Sequence, residues 1–327
     1  MRQFTFADLF CGAGLFSEGF RSLGFRPSFA VDLDQRAVAS YNRNVSPVAA
    51  CGSVSLEIAM PSVDCLIAGP PCQGFSTLGR RDGADERNRL SAYLPTLANA
   101  SGALIVVVEN VPPFLASTHW EKMAAGFVRL GYKVQTMVLD AQDYGAPQRR
   151  ARAFTIASKL GAIETPLKSS TKTTVSEVLR GIAPSDPLHV WPQPTALALE
   201  RIKRIPAGGD KRDLMKSAPY LCPASWHALG AQATDVWGRM DANSPSNTLR
   251  CRFQNPSTGR YLHPTEDRVI SLREGARLQG VPDRWRFEGD RSAVQRQIGN
   301  GVPVPLAAAV ATSVHAALRL SQSAEAA

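Results

Sequence analysis

Short apolar runs alternate with amphipathic segments through the first half of the chain. The apolar runs have the length of strands and are rich in Val, Ile, Leu and Phe, whereas the segments between them have helical periodicity. We predict strands at 4–10, 28–31, 64–68, 104–108, 133–139 and 153–157, and helices at 17–23, 35–42 and 121–130. Strand–helix alternation of this kind predicts an α/β fold with a mostly parallel sheet and helices on both faces.

The pattern changes after about residue 160. Residues 181–265 are rich in Pro, Gly, Ser and Asn, which predicts an irregular second domain with long loops. Helical patterns follow at 265–278 and 304–320. The longest uncharged apolar run, 302–318, is short for a membrane span and contains Pro, so we predict a buried Ala-rich helix there. The predicted division is a catalytic domain at 1–180 plus 294–327, and a second domain at 181–293.

Composition and charge narrow the class of protein. The chain of 327 residues is 44% hydrophobic and 20% charged, an ordinary globular profile. Its formal net charge of +9 comes mostly from residues 151–270, and a basic segment beside a nearly neutral one is typical of proteins that bind a polyanion. A solvated basic surface would have the same composition.

Cysteine, histidine and the N-terminus exclude several other classes. The six cysteines form no CxxC pair and the five histidines no HExxH, so we predict no metal site and no disulfide framework. The apolar N-terminal stretch carries Asp8 and Glu18, unlike a signal peptide. We therefore expect a cytoplasmic protein with reduced thiols.

Two strand ends suggest a nucleoside cofactor. The first strand runs into a loop with Gly12 and Gly14, where backbone can approach a ligand closely. The second ends about 20 residues later at Asp32, where a carboxylate can hold both ribose hydroxyls. A purely structural turn explains the glycines equally well.

A third strand end carries a cysteine. Residues 69–76 read GPPCQGFS, and the two prolines stiffen the chain immediately before Cys72. A thiolate is a strong nucleophile, whereas a lone cysteine is more often buried and inert. The turn composition and the position at the ligand edge of the sheet favour the nucleophile.

Charged residues follow two further strand segments. Glu109 ends a buried strand, where a carboxyl group is costly unless it is paired or used, although it could simply cap the next turn. Arg150 and Arg152 alternate, so on an extended chain they would project on one face toward a phosphate or a carbonyl oxygen. A solvated basic strand is the alternative.

In their order along the chain these motifs resemble those of the cytosine-C5 DNA methyltransferases. Residues 273–283, REGARLQGVPD, resemble the penultimate motif of that family, and residues 297–303, QIGNGVP, resemble its last. The resemblance runs from about residue 4 to 306 and breaks only near 181–262. It implies a class I S-adenosylmethionine-dependent methyltransferase, with a Rossmann-like mixed sheet and a smaller, irregular target-recognition domain. The helix of the last motif would lie beside the first strand.

The resemblance also implies an activity. A methyl group would pass from S-adenosylmethionine to C5 of a cytosine flipped out of a specific double-stranded DNA sequence, which costs about a few kcal/mol. Cys72 would add to C6, Glu109 would hold N3 and the exocyclic amine, and Arg150 and Arg152 would meet the base O2 and a nearby phosphate. The chemistry needs such groups, because a thiolate adduct pushes electron density onto C5 and a carboxyl at N3 stabilises that adduct.

The resemblance assigns further contacts. Those to the cofactor are Phe10, Gly12, Gly14, Asp32, Leu33, Ser53, Pro70, Leu90 and Asn300, and those to DNA are Gln73, Ser76, Arg80, Arg81, Arg250 and Arg252. Residues 73–89 would form a lid that orders with DNA. The sequence departs from the family pattern at Leu15, where many members have Gly, at Ser53, where an Asp often meets the adenine amine, and at Val281, which replaces a common Phe. The presumed chemical residues are all present, so we predict an active enzyme.

Two alternatives differ in substrate and in activity. A tRNA cytosine-5 methyltransferase would share the fold, but that branch usually carries a Cys-Phe-Thr segment, which neither Cys222-Pro223 nor Cys251-Arg252 matches. A catalytically silent DNA-binding regulator is disfavoured by the intact Cys72, Glu109 and Arg152. We expect a monomer associated with the nucleoid, with double-stranded DNA and a cognate restriction endonuclease as partners, and with no membrane contact.

Overall fold

A seven-stranded sheet organises the first half of the protein. The computed structural model describes residues 2–71, 86–229 and 235–325. The strands lie in the order β3-β2-β1-β4-β5-β7-β6. Their bounds are β1 Thr5–Leu9, β2 Arg26–Asp32, β3 Ala49–Cys51, β4 Cys65–Ala68, β5 Ile105–Asn110, β6 Lys133–Asp140 and β7 Ala151–Ser158.

Strand direction makes the sheet mixed, as predicted. The first five strands in chain order pair in parallel, whereas β7 runs antiparallel to both of its neighbours. The chain adds β2 and β3 on one side of β1 and β4 and β5 on the other, so the strand order reverses between β1 and β4. Ligands of doubly wound sheets bind at such a reversal, beyond the carboxyl ends of the strands.

Helices accompany the strands and continue through the second half. They are α1 Leu15–Ser22, α2 Gln35–Asn44, α3 Leu94–Ala100, α4 Thr118–Arg129, α5 Val175–Leu179, α6 Ala196–Lys203, α7 Lys211–Ser217, α8 Ala224–Leu229, α9 Leu272–Leu278, α10 Arg291–Asn300 and α11 Val304–Glu325. Side chains start several of them: Asp34 accepts from two backbone N–H groups of α2, and Ser117 accepts from one of α4.

The central strands β4 and β5 are buried on both faces, which explains why they are almost continuously apolar. On one face Phe6, Ile67 and Val107 pack with aromatic residues of α1 and with α11. On the other face residues of the same strands pack with α3 and α4. The helices α1 and α11 approach so closely that a Cβ on Gly19 would lie 2.4 Å from the Cβ of Ala307.

The C-terminal helix α11 confirms the predicted Ala-rich core helix. By length and apolar composition alone the helical segment 291–324 could cross a membrane, but half of its apolar stretch is buried inside the protein. The buried residues of α11 include Leu306, Val310 and Val314, and they cover the sheet beside β1. This burial is typical of a core helix of a globular protein.

The second half contains more helix than its composition predicts. The short helices α6, α7 and α8 lie in the segment predicted as irregular, and they pack around Trp226 and Trp237 in a hydrophobic cluster of their own. A separate cluster joins Leu188, Leu272 and Trp285 to Ala13 and Leu15. Leu15 and Val281, two positions at which the sequence departs from the family pattern, are both buried in the cluster that contains Leu272.

One predicted helix is wrong in its first half. Residues 265–278 have helical periodicity, but helix begins only at Leu272. Before it, backbone N–H groups of Thr265 and Glu266 donate to Nδ1 of His263, so this backbone is satisfied in a turn. The helix starts where Ser271 and Glu274 form a reciprocal capping box.

Candidate active site at the carboxyl ends of the strands

The loop after β1 has a backbone shape that few residues adopt. Phe10, Gly12 and Gly14 have φ of +63°, +52° and +92°, and Phe10 is one of the uncommon residues with a side chain in this region. A Cβ on Gly14 would lie 2.7 Å from a methyl carbon of Val45 and 2.8 Å from the ring of Tyr41, so glycine is required there. The loop is therefore held tightly against α2.

Asp32 ties this loop to the end of β2. Its Oδ2 accepts a hydrogen bond from the backbone N–H of Gly12 at 2.8 Å, and its Oδ1 accepts from that of Asp34 at 2.9 Å. Leu33 beside it is 69% exposed, and Ser53, just after β3, is also exposed. An exposed apolar side chain next to a carboxylate fits an adenosine group, which offers an apolar ring and two ribose hydroxyls.

The other predicted cofactor contacts adjoin the same edge. Pro70 follows β4, and its carbonyl oxygen accepts from Nδ2 of Asn110 at the end of β5. Asn300 is the exposed last residue of α10, and its Oδ1 accepts from the Cys251 thiol at 2.8 Å. A Cβ on Gly301 would lie 2.3 Å from Leu15, so the last motif packs directly on the start of α1. Leu90 is half-buried in a 3-10 segment, Glu86–Tyr93.

Glu109 and Arg152 form an ion pair on neighbouring strands. Oε1 of Glu109, in β5, lies 2.9 Å from Nε of Arg152, in β7, and the two side chains are 12% and 13% exposed. Burial raises the pKa of Glu109 above its ordinary value, and the positive charges of Arg152 and Arg150 oppose that rise. A Cβ on Gly69 would lie 3.8 Å from Oε2 of Glu109, so the carboxyl group lies beside the turn that leads into Cys72.

Five predicted site residues lie outside the part of the chain that the structure describes. They are Cys72, Gln73, Ser76, Arg80 and Arg81. Of the predicted lid at 73–89, the structure describes only residues 86–89.

Arg150 differs from Arg152 in its surroundings. Its guanidinium is buried and donates to the backbone carbonyls of Leu249, Gly299 and Gly301 at 2.8, 2.8 and 3.1 Å. Burial lowers the pKa of Arg150, and the carbonyl oxygens compensate part of that desolvation. These contacts join the start of β7 to residue 249 and to the end of α10, and the predicted contact of Arg150 with substrate stays a prediction.

Two glutamines reinforce this junction, a role that their sequence pattern does not predict. Gln148 is buried and donates to Oε1 of Gln279 at 3.0 Å, while its own Oε1 accepts from the backbone N–H of Leu249 at 2.7 Å. Gln279 donates in turn to the carbonyl of Ile298 at 2.6 Å. Fully bonded polar side chains in apolar surroundings fix one arrangement of the segments that they join.

Basic side chains line a cleft next to Arg150. A polar cavity of about 270 Å³ is bounded by Arg149, Arg250 and Arg260, among others. Arg260 is ion-paired with Asp210. Arg250 donates to the carbonyl of Thr258 at 2.6 Å, and neither it nor the exposed Arg149 has a carboxylate partner among the described residues. The predicted DNA contact Arg252 is exposed and lies two residues after Arg250 in the chain.

Known proteins share this architecture. The profile of the C-5 cytosine-specific DNA methylase family matches residues 4–316. The Type II methyltransferase M1.HphI of Haemophilus parahaemolyticus is 31% identical over 95% of this chain and 86% of its own length, and M.Eco47II of Escherichia coli is 31% identical over 95% and 78%. A crystal structure described as that of a DNA modification methyltransferase encoded within an E. coli prophage aligns with a TM-score of 0.71 at 26% identity, covering 97% of this chain and all of that one.

The mixed sheet, the glycine loop and the acidic end of β2 define a class I methyltransferase, for which S-adenosylmethionine is the methyl donor. The match over nearly the whole length then fixes the family: the chain belongs to the C-5 cytosine-specific DNA methylases. It is a DNA cytosine-5 methyltransferase, as the order of its motifs predicts.

Proposed function

We propose that the enzyme methylates cytosine in a specific double-stranded DNA sequence through a covalent adduct between Cys72 and C6 of a flipped base. The observation that carries the proposal is the Glu109–Arg152 ion pair, whose carboxyl group adjoins the turn into Cys72 at the edge of the sheet that also holds Asp32 and the glycine loop. The carboxyl group and the cofactor loops thus share one edge, and Cys72 follows three residues after Gly69 in the sequence.

Each side chain of the site would then perform a separate task in the reaction. The Cys72 thiolate forms a bond to C6, and the electron pair of the C5–C6 double bond moves toward C5. Glu109 holds a proton at N3 and accepts from the exocyclic amine, while Arg152 orients the Glu109 carboxyl. The bound donor supplies a methyl group on a positively charged sulfur. Loss of the C5 proton and departure of Cys72 restore the aromatic ring.

Cofactor binding is assigned to the loops at the same edge. We propose that Asp32 binds the ribose hydroxyls, that Leu33 lies against the adenine, and that Ser53 is within reach of the ring amine. Phe10, Gly12, Gly14, Pro70, Leu90 and Asn300 would complete the site. The exposure of Leu33 and Ser53 beside the Asp32 carboxylate supports this assignment.

Genome-wide mapping of 5-methylcytosine tests the function directly. Expressed in a host without DNA methylation, the protein should place 5-methylcytosine at one short sequence motif, and purified enzyme should transfer labelled methyl groups to DNA carrying that motif. Transfer to tRNA and not to DNA would contradict the proposal. Sequence-specific DNA binding without any transfer would instead identify a regulator.

The second half of the chain is assigned to target recognition. We propose that its core is the cluster around Trp226 and Trp237, and that the domain has the predicted span of 181–293. The Type II relatives support a role in a restriction-modification system beside a cognate endonuclease. We propose a cytoplasmic, monomeric enzyme.

Arg149 and Arg250 should each contact a DNA phosphate. Replacing either with glutamine should lower the slope of log K against log salt for duplex binding by about 0.9, because each contact releases condensed counterions. The slope is measured from the binding constant for one duplex at several salt concentrations. Arg26→Gln is the matched control, since the exposed Arg26 starts β2 at the opposite edge of the sheet and should leave the slope unchanged. An unaltered slope in both cleft variants would exclude the contacts.

A further inference from the structure

A chain of buried hydroxyl groups ends at a carboxyl group beneath the glycine loop. Asp8, in β1, is only 1% exposed, and its Oδ2 accepts a hydrogen bond from Oγ of Ser17 at 2.6 Å. The hydroxyl of Tyr41 lies 2.9 Å from the same Oγ. Because the Ser17 hydroxyl donates a hydrogen bond to Asp8, its oxygen accepts one from Tyr41. The order of hydrogen-bond donation is therefore Tyr41 to Ser17 to Asp8.

The three residues of this chain lie on three elements that adjoin the loop. Asp8 lies on β1, Ser17 on α1 and Tyr41 on α2, and the loop 10–14 connects the first two of these elements. The ring of Tyr41 is also one of the two side chains that leave no space for a Cβ at Gly14. The position of the Tyr41 ring therefore determines how far Gly14, and the loop that ends at it, can move.

A carboxyl group at the position of Asp8 is energetically unfavourable. A buried carboxyl group loses its hydration, and among the described residues no lysine, arginine or histidine forms an ion pair with it. An apolar side chain would satisfy the packing of a central strand at a lower cost. A buried polar group that packing does not require, at the edge of a binding site, is a candidate for a functional role.

We propose that Asp8 is a positioning residue for the methyl donor, acting through Ser17 and Tyr41 to hold the loop 10–14 in its binding shape. The inference rests on the proposed function in one respect, namely that this loop binds S-adenosylmethionine. Asp8 itself touches neither the donor nor the base in this account. Its effect reaches the donor only through the backbone of the loop.

Asp8 performs this role as a neutral acid. Burial raises the pKa of Asp8 to about 8, the hydrogen bond from Ser17 opposes the rise, and the nearby Asp32 carboxylate adds to it. The titratable groups that face it are Asp32 from β2, Cys11 from the loop and Tyr41 from α2. Burial raises the pKa of both Cys11 and Tyr41, so they stay neutral as well.

Cofactor affinity of matched variants tests the proposal. Asp8→Ala and Ser17→Ala should each weaken binding of S-adenosylmethionine and S-adenosylhomocysteine about tenfold in calorimetric titration, because each breaks the buried chain. Their KM for the donor should rise while kcat changes less. Asp8→Asn keeps an acceptor for Ser17 and should bind within about twofold of the native enzyme. Ser28→Ala is the control, because the buried Ser28 Oγ in β2 has no hydrogen-bond partner within the described ranges.

A purely structural role gives a different result. Ser17→Ala and Asp8→Ala would then lower the melting temperature but bind both ligands with native affinity below it, and this outcome overturns the proposal. Should Asp8→Ala fail to fold, the ligand affinities of Ser17→Ala and Asp8→Asn still distinguish the positioning role from a purely structural one. If the native enzyme itself binds no S-adenosylmethionine, the proposed function fails rather than the inference about Asp8.

The pH dependence of stability tests the charge state. The folded protein retains the Asp8 proton up to a pH of about 8, whereas the unfolded chain loses it near the ordinary aspartate pKa of 3.8. The contribution of Asp8 to stability therefore declines as pH rises between these values and is constant above them. The melting temperature of Asp8→Asn minus that of the native enzyme should grow from pH 5 to pH 8 and then level off. If the melting temperatures of the two proteins instead change in parallel with pH, Asp8 is not a neutral acid in the folded protein.

Discussion

Replacing Cys72 with serine is expected to lower the rate of methyl transfer by more than about 10³-fold, while the affinity for S-adenosylmethionine stays within about twofold of the native value. The serine hydroxyl is ionised far less readily than the thiol, so it supplies almost no anionic nucleophile to add at C6. Serine has nearly the shape of cysteine, so the replacement should leave the cofactor contacts intact. Single-turnover transfer to labelled duplex, together with calorimetric titration of the cofactor, measures both quantities.

A mechanism-based trap makes the test specific for the covalent step. In duplex DNA with 5-fluorocytosine at the target position, the native enzyme should form an adduct that survives denaturing electrophoresis, because fluorine cannot leave C5 as a proton does. Cys72→Ser should form no such adduct. Cys251→Ser is the matched control, since Cys251 lies beside Asn300 and has a pKa raised by burial, unlike a reactive thiol. Native turnover by Cys72→Ser would refute covalent catalysis.

The central strands of the sheet could be predicted from the sequence because each buried strand coincides with a run of hydrophobic residues. The strands β4 and β5 are apolar on both faces, so the run of hydrophobic residues in the sequence has the length of the strand itself. Edge strand β3 was not predicted, because it has only three residues and two of them are exposed. Its pairing with β2 depends on contacts distant in sequence, and local patterns do not contain these.

The second half was predicted less well for a different reason. Helices α6, α7 and α8 are six to eight residues long, and prolines and glycines lie close to them, so their local signal is weak. Packing around Trp226 and Trp237 stabilises them instead. Likewise the alternation of Arg150 and Arg152 predicts a shared face, but only the structure distinguishes the arginine bonded to three carbonyls from the one paired with Glu109.

Replacing Glu109 with glutamine is expected to lower the single-turnover rate of methyl transfer about 10²- to 10³-fold. Glutamine keeps the shape of the side chain and can donate a hydrogen bond to N3, but it cannot transfer a proton. In the proposed mechanism the protonated carboxyl is the active form. Because burial raises the pKa of Glu109, this form persists to a higher pH than in an ordinary glutamate, and the rate declines as pH rises through that raised pKa. Glu109→Gln should lack this descending limb.

The ion pair with Arg152 gives the assignment a second, independent test. The positive charge of Arg152 lowers the pKa of Glu109 against the effect of burial, so Arg152→Gln should move the descending limb to higher pH, whatever it does to the maximal rate. Rates from pH 5 to pH 9 under single-turnover conditions separate the position of the limb from its height, and they exclude product release as the source of either. Arg129→Gln, on the exposed last turn of α4, should leave the position unchanged. A descending limb that persists in Glu109→Gln, or that does not move in Arg152→Gln, would assign the titrating proton to another group and leave the ion pair a structural contact.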